Sequence, residues 1–134
     1  MILGFTGTRE GMTPDQKIAV RRWCARNAPK TLHHGCCIGA DEDIVTILAD
    51  SAVVIGHPPS DGELQSKYAT GMSELLENPA EYLSRNQAIV KACDTLLATP
   101  KGPEELRSGT WSTIRYARRK VKTVVIVWPD GRVE

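Results

Sequence analysis

The stretch with the most chemistry in it is Ser108-Gly109-Thr110-Trp111-Ser112-Thr113. It follows an apolar run, Thr95 to Thr99, and opens a segment in which Thr110, Ile114, Ala117 and Val121 fall on one helical face. A small, hydroxyl-rich turn between a buried strand and a helix leaves N–H groups and hydroxyls at the positive end of the helix dipole. Such a place suits phosphate or carboxylate. Taken alone, the turn reads first as an ordinary cap, with Ser108 accepting from the helix and Gly109 letting the chain bend.

The turn is not alone. Gly4-Phe5-Thr6-Gly7-Thr8-Arg9-Glu10-Gly11 is an apolar run leading into a glycine-rich loop. Thr31 to His34 ends at Gly35, and Gly39-Ala40-Asp41-Glu42-Asp43 opens a helix with acids in its first turn, where the dipole favours them. Asp41 shares a face with Ile44, Val45 and Leu48, so it points toward the interior, which capping does not explain. Ser51 to Gly56 runs into His57-Pro58-Pro59. Arg85 and Asn86 lie on a helix with Tyr82, Asn86, Ile89 and Cys93 on one stripe, and an asparagine there requires a partner. Gly7, Thr8, Arg9, Gly35, Gly39, Ala40, Asp41, His57, Arg85, Asn86, Ser108, Gly109 and Thr110 are therefore the candidate ligand contacts. Arg85 is expected to be the main anion contact, because guanidinium grips phosphate bidentately. Gly109 is expected where the backbone must approach phosphate, with positive φ as one reason for glycine there.

The elements that must position these residues alternate. Strands are expected near 2–6, 31–34, 52–56, 94–98 and 122–128. The first helix has the start signal Thr13-Pro14-Asp15-Gln16 and runs to about Asn27, burying Ala19, Val20, Trp23 and Cys24. Another starts at Asn78-Pro79-Ala80-Glu81 and runs to about Cys93. Residues 60–77 have no steady period and read as a loop or lid with some irregular helix. The pattern predicts an α/β fold: a Rossmann-like, doubly wound, parallel five-stranded sheet with helices on both faces. Ligands of such sheets bind beyond the carboxyl ends of the strands, where all these turns collect, and a nucleotide-type ligand is expected there.

Bulk properties bound the rest. With 134 residues, 41% of them hydrophobic, the chain is long enough to bury a core as one domain, 1–134. A net charge of +1 does not suggest a protein built to blanket nucleic acid. No apolar run reaches membrane-spanning length, so a cytoplasmic protein is expected. Cys24, Cys36, Cys37 and Cys93 lack framework spacing and read as buried thiols in a cytosolic chain. His33-His34-Gly35-Cys36-Cys37 resembles a metal cluster at first sight, but adjacent strand residues point to opposite faces, so no metal site is expected. Nor is a cofactor called for.

Gly4 to Arg9, Gly35 with Gly39-Ala40-Asp41, Arg85-Asn86, and Ser108-Gly109-Thr110 with Ala117 together resemble the SLOG superfamily over roughly residues 2–128. This Rossmann-like group includes the DNA-processing protein A, the LONELY GUY phosphoribohydrolases and the small YspA/YpsA-like proteins. The resemblance implies binding of nucleotides or nucleotide-derived signals, such as an ADP-ribose-like molecule or a cyclic nucleotide, by a homodimer or higher homo-oligomer. Related domains occur in nucleotide signalling. The LONELY GUY enzymes carry a catalytic glutamate after their glycine turn, where this chain has Thr113. A hydroxyl with no adjacent base is a poor acid or base near neutral pH, so sensing or ligand sequestration is expected ahead of catalysis. Asp41 and Glu42 remain candidate carboxylates for the alternative, an N-glycoside hydrolase or nucleoside deoxyribosyltransferase. Single-stranded DNA binding through Arg115, Arg118, Arg119, Lys120 and Lys122 ranks last, since aromatics are few. Trp111 is considered as a base-stacking residue beside its commoner role in packing.

Overall fold

In the computed structural model, residues 1–57, 74–75 and 82–134 are described. The chain order is β1 (Ile2–Gly7), α1 (Pro14–Asn27), β2 (Thr31–His34), α2 (Ala40–Leu48), β3 (Val53–Gly56), β4 (Glu74–Leu75), α3 (Tyr82–Ala92), β5 (Thr95–Thr99), α4 (Gly109–Arg119) and β6 (Thr123–Ile126). All strand pairings in the sheet are parallel, in the order β4-β3-β2-β1-β5-β6. The chain winds outward from β1 through β4, then returns to place β5 on the other side of β1. That reversal puts the switch point between β1 and β5, and the fold is a Rossmann-like α/β fold.

The five expected strands are all present. The sixth, β4, corrects the reading of residues 60–77 as loop or irregular helix: Glu74 and Leu75 pair with Ile55 and Gly56. Two residues are too few for a period to be visible. The rest of 60–77, and the expected cap at Asn78 to Glu81, lie outside the described residues.

Period-two alternation along the strands builds two cores. Leu3, Phe5, Leu32, Val54 and Leu97 pack with Val20 and Cys24 of α1 and Ile44, Val45 and Leu48 of α2. Leu96, Ala98 and Ile126 pack on the other face with Val90 of α3 and Trp111, Ile114 and Ala117 of α4. Val121 departs from expectation. The helix ends at Arg119, and Val121 has φ +56° and is 90% exposed, so it leaves the buried stripe.

Local signals fix the helix starts. Thr13 Oγ1 accepts from Gln16 N–H at 3.0 Å, and Gln16 Oε1 accepts from Thr13 N–H at 2.9 Å. Gln16 then does more than close the cap. Its buried Nε2 donates to the carbonyls of Pro100 and Val127, both at 2.9 Å, tying α1 to the loop after β5. Ala19 and Trp23, expected to be buried, are only half-buried, while Arg21, Arg22 and Arg26 are exposed. Among the described residues, no helix is long and apolar enough to cross a membrane.

Candidate functional site

A cavity of about 340 Å³ opens at the carboxyl rim, beside the β1/β5 switch point. Of the candidate contacts, Gly7, Thr8, Arg9, Gly35, Asp41, Arg85, Asn86, Ser108, Gly109 and Thr110 line it. Gly39, Ala40 and His57 do not, and the reasons are structural. Gly39 has φ +87°, and a Cβ there would collide with the Arg9 carbonyl; the position bends the chain into α2. Ala40 is fully buried, and its N–H donates to the Thr8 carbonyl at 2.9 Å. His57 is buried, with Nε2 2.8 Å from His33 Nδ1.

The first turn of α4 forms one wall. Ser108 Oγ accepts from Trp111 N–H at 3.2 Å, and Thr110 Oγ1 donates to the Gly7 carbonyl at 2.9 Å, fastening the helix start to the end of β1. Gly109 differs from expectation. Its φ is not positive, and a Cβ there would meet nothing within 4 Å, so glycine is not required by the fold. Thr113 is buried and donates to the Gly109 carbonyl at 2.9 Å, a bond within the helix. Trp111 is also buried. Its ring packs on Trp128 with centroids 5.7 Å apart, and its Nε1 donates to the Gly102 carbonyl, so it is a packing residue and does not present a face to a base.

The floor is built around Arg85 and Asp41. Arg85 is buried, and its Nη1 donates to the Gly35 carbonyl, to the His57 carbonyl at 3.4 Å and to Cys37 Sγ at 3.4 Å, while Nε donates to Asn86 Oδ1 at 2.8 Å. Asn86 is half-buried; the fully buried stripe of α3 carries Arg85, Ile89 and Val90 instead. Asp41 Oδ2 accepts from Gly35 N–H at 3.0 Å and Cys37 N–H at 3.2 Å. Arg85 and Asp41 thus hold the 35–37 loop from its carbonyl and amide sides. A Cβ at Gly35 would fall on the Arg85 guanidinium, so a side chain there would displace that group from the loop. Burial pushes the Asp41 carboxyl up to about 6, against the opposing pull of the Arg85 charge and the two amides. Glu42 does not line the cavity: its Oε1 accepts from Gly39 N–H at 2.9 Å, which is its role in starting α2.

Beneath the loop lie two further imidazoles. Burial lowers His34 to about 3 and His57 to about 4, with neighbouring histidines and Arg85 acting in the same direction. His34 Nδ1 accepts from Cys36 N–H at 3.0 Å, and its Nε2 has no partner among the described residues. Both rings are therefore held neutral. The four cysteines are not joined in disulfides; Cys24, Cys36 and Cys93 are buried, and Cys37 is half-buried on the cavity wall.

Sequence reasoning missed Glu10, Cys37, Ile38, Lys101, Glu105 and Arg107, which also line the cavity. The last three come from the loop between β5 and α4. That loop is pinned by Trp111 Nε1 on Gly102, by Gln16 on Pro100 and by Arg115. Arg115 meets Glu104 at 3.0 Å and donates to the carbonyls of Glu105 and Leu106. Arg115 is thus occupied within its own molecule. Of the basic run, Arg119 and Lys120 lie over the Tyr116 ring at 5.7 and 5.6 Å.

Solved structures share this architecture. The molybdenum cofactor binding protein of the phototrophic bacterium Rippkaea orientalis superposes with a TM-score of 0.72, covering 95% of this chain and 76% of its own, at 22% identity. The X-ray structure of TM1055, a structural-genomics target, gives a TM-score of 0.66 over 92% of this chain and 72% of its own, at 18% identity. The likeness is one of fold. No protein-family profile matches the chain, and no curated protein matches its sequence.

Proposed function

We propose that the chain binds a nucleotide or nucleotide-derived small molecule in the rim cavity, with a phosphate against the first turn of α4. It holds that ligand intact, as a sensor or a sequestering protein, and belongs to the SLOG-like branch of this fold. The observation that carries the reading is the meeting of Ser108, Gly109 and Thr110 with Arg9, Lys101 and Arg107 in one cavity. Helix amides and guanidinium groups are the usual partners of phosphate, and open space above Gly109 leaves the backbone approachable. Ile38 and Ile89 supply the apolar wall that a flat ring requires. A small-molecule role also agrees with the name of the Rippkaea orientalis neighbour. Thr113, bonded inside its helix, offers no acid or base.

Mass spectrometry of small molecules released by denaturing the purified protein tests the ligand class. Titration then compares adenosine 5′-monophosphate with adenosine. The phosphate should tighten binding at least tenfold, with an affinity that falls as salt rises. Equal affinities would refute the reading.

One observation favours a second reading. Asp41 is a carboxyl of raised pKa on the cavity wall, a frequent mark of acid–base chemistry. Under that reading the protein is an N-glycoside hydrolase or deoxyribosyltransferase. Incubated nucleotide should return intact if the binder reading holds. Release of free base, abolished in Asp41→Asn, would promote the enzyme.

A further inference from the structure

Two loops flank the mouth of the cavity, and each contributes one long charged side chain that meets the other. Lys101 Nζ lies 3.6 Å from Glu10 Oε1, with the two side chains 59% and 67% exposed. Both residues line the cavity. Their backbones are held firmly. On the β1–α1 side, Gly11 N–H donates to the Thr8 carbonyl, and Met12 N–H donates to Asp43 Oδ2 at 2.8 Å. On the other side, Gln16, Trp111 and Arg115 bond the carbonyls of Pro100, Gly102, Glu105 and Leu106. The movable parts are therefore the two side chains. An exposed pair of this kind is weak and yields to a better anion.

We propose that Glu10 is a built-in stand-in for the ligand's anionic group: it holds Lys101 at the mouth of the cavity and gives it up when a phosphate-bearing ligand arrives. This rests on the phosphate-binding reading above and adds a selectivity rule to it. A ligand carrying only a weak acceptor does not displace Glu10, because the carboxylate already satisfies Lys101. A phosphate, with more charge and three acceptor oxygens, does displace it. The competition for Lys101 thus sets a threshold of charge that a ligand must exceed.

The probe is inorganic phosphate, titrated into labelled protein while the amides of Ser108, Gly109 and Thr110 are followed by NMR. Relative to the unaltered protein, Glu10→Gln should bind phosphate about three- to tenfold more tightly, and Lys101→Gln more weakly. The double variant separates a stand-in from simple repulsion. In the Lys101→Gln background, adding Glu10→Gln should recover little, because Glu10 acts through Lys101. Unchanged or weaker binding by Glu10→Gln overturns the proposal. So does a gain that persists in full without Lys101, which would make Glu10 merely a repelling charge. If the three amides fail to respond to phosphate in every variant, the phosphate site itself is wrong and the stand-in falls with it. Tighter binding of adenosine 5′-monophosphate than of adenosine, together with an indifferent Glu10→Gln, leaves the binding reading standing and removes only the stand-in.

Discussion

Replacing Asp41 by asparagine asks whether this carboxyl is a buried acid or a conventional ion-pair partner of Arg85. In the folded protein its value is raised from 3.8 to about 6, chiefly by burial. A carboxyl that holds its proton more tightly when folded stabilises the fold most when protonated. That contribution is fully present below about 4 and is lost as pH rises through 6. The difference corresponds to about 3 kcal/mol. Asparagine copies the protonated form and does not titrate. Urea unfolding of both proteins at pH 4, 5, 6 and 7 should therefore show the variant gaining on the unaltered protein by about 3 kcal/mol across the range. Lost hydrogen bonds to Gly35 and Cys37 would offset the whole variant curve without changing this slope. A difference that stays flat with pH would refute the reasoning. One that runs the other way would mean that Arg85 and the two amides hold Asp41 ionised, below its ordinary value.

Arg85→Lys should lower stability by about 1.5–3 kcal/mol in urea unfolding, because an ammonium cannot reach the carbonyls of Gly35 and His57 while keeping Asn86. An unchanged midpoint would show that the floor does not depend on this guanidinium. Gly39→Ala should cost at least about 2 kcal/mol, since φ +87° and the Arg9 carbonyl both oppose a side chain. Gly109→Val should keep the thermal midpoint yet weaken binding of adenosine 5′-monophosphate at least tenfold, by filling cavity space that is open. In Asp41→Asn, where the opposing acid is gone, stability should fall by about 2 kcal/mol per pH unit between pH 6 and 5. There the unfolded chain takes up protons at His34 and His57, which the folded protein refuses down to about 3 and 4. A shallow acid limb would mean that one of these rings is already charged in the fold.

What the sequence made legible, and what it hid, follows from the range of the interactions involved. Four of the five longer strands were readable because each carries a run of apolar residues ended by glycine, proline or a polar turn, all local features; β2, Thr-Leu-His-His, is marked chiefly by the Gly35 that ends it. The capping box of Thr13 and Gln16 was readable for the same reason, since both partners lie within three residues. Asp41 was picked out correctly as an inward acid because helical spacing alone sets its face, and it is buried. Spacing failed at α3, where Asn86 looked like the buried polar residue. There the interior accepts Arg85 because Gly35 has no side chain to oppose it, and no period within α3 could reveal that. Lys101, Glu105 and Arg107 were hidden for a related reason. Nothing in residues 100–107 is periodic, and their direction is set by Gln16, Trp111 and Arg115. In the sequence those three read, respectively, as a cap, a packing or base-stacking ring and part of a basic run. Each bonds a backbone carbonyl of the loop, so the residues that shape this wall of the cavity are mostly not the ones that line it. A substitution at Gln16 or Arg115 should therefore alter ligand affinity without touching the ligand, which charge or hydroxyl content near the glycine turns would never have suggested.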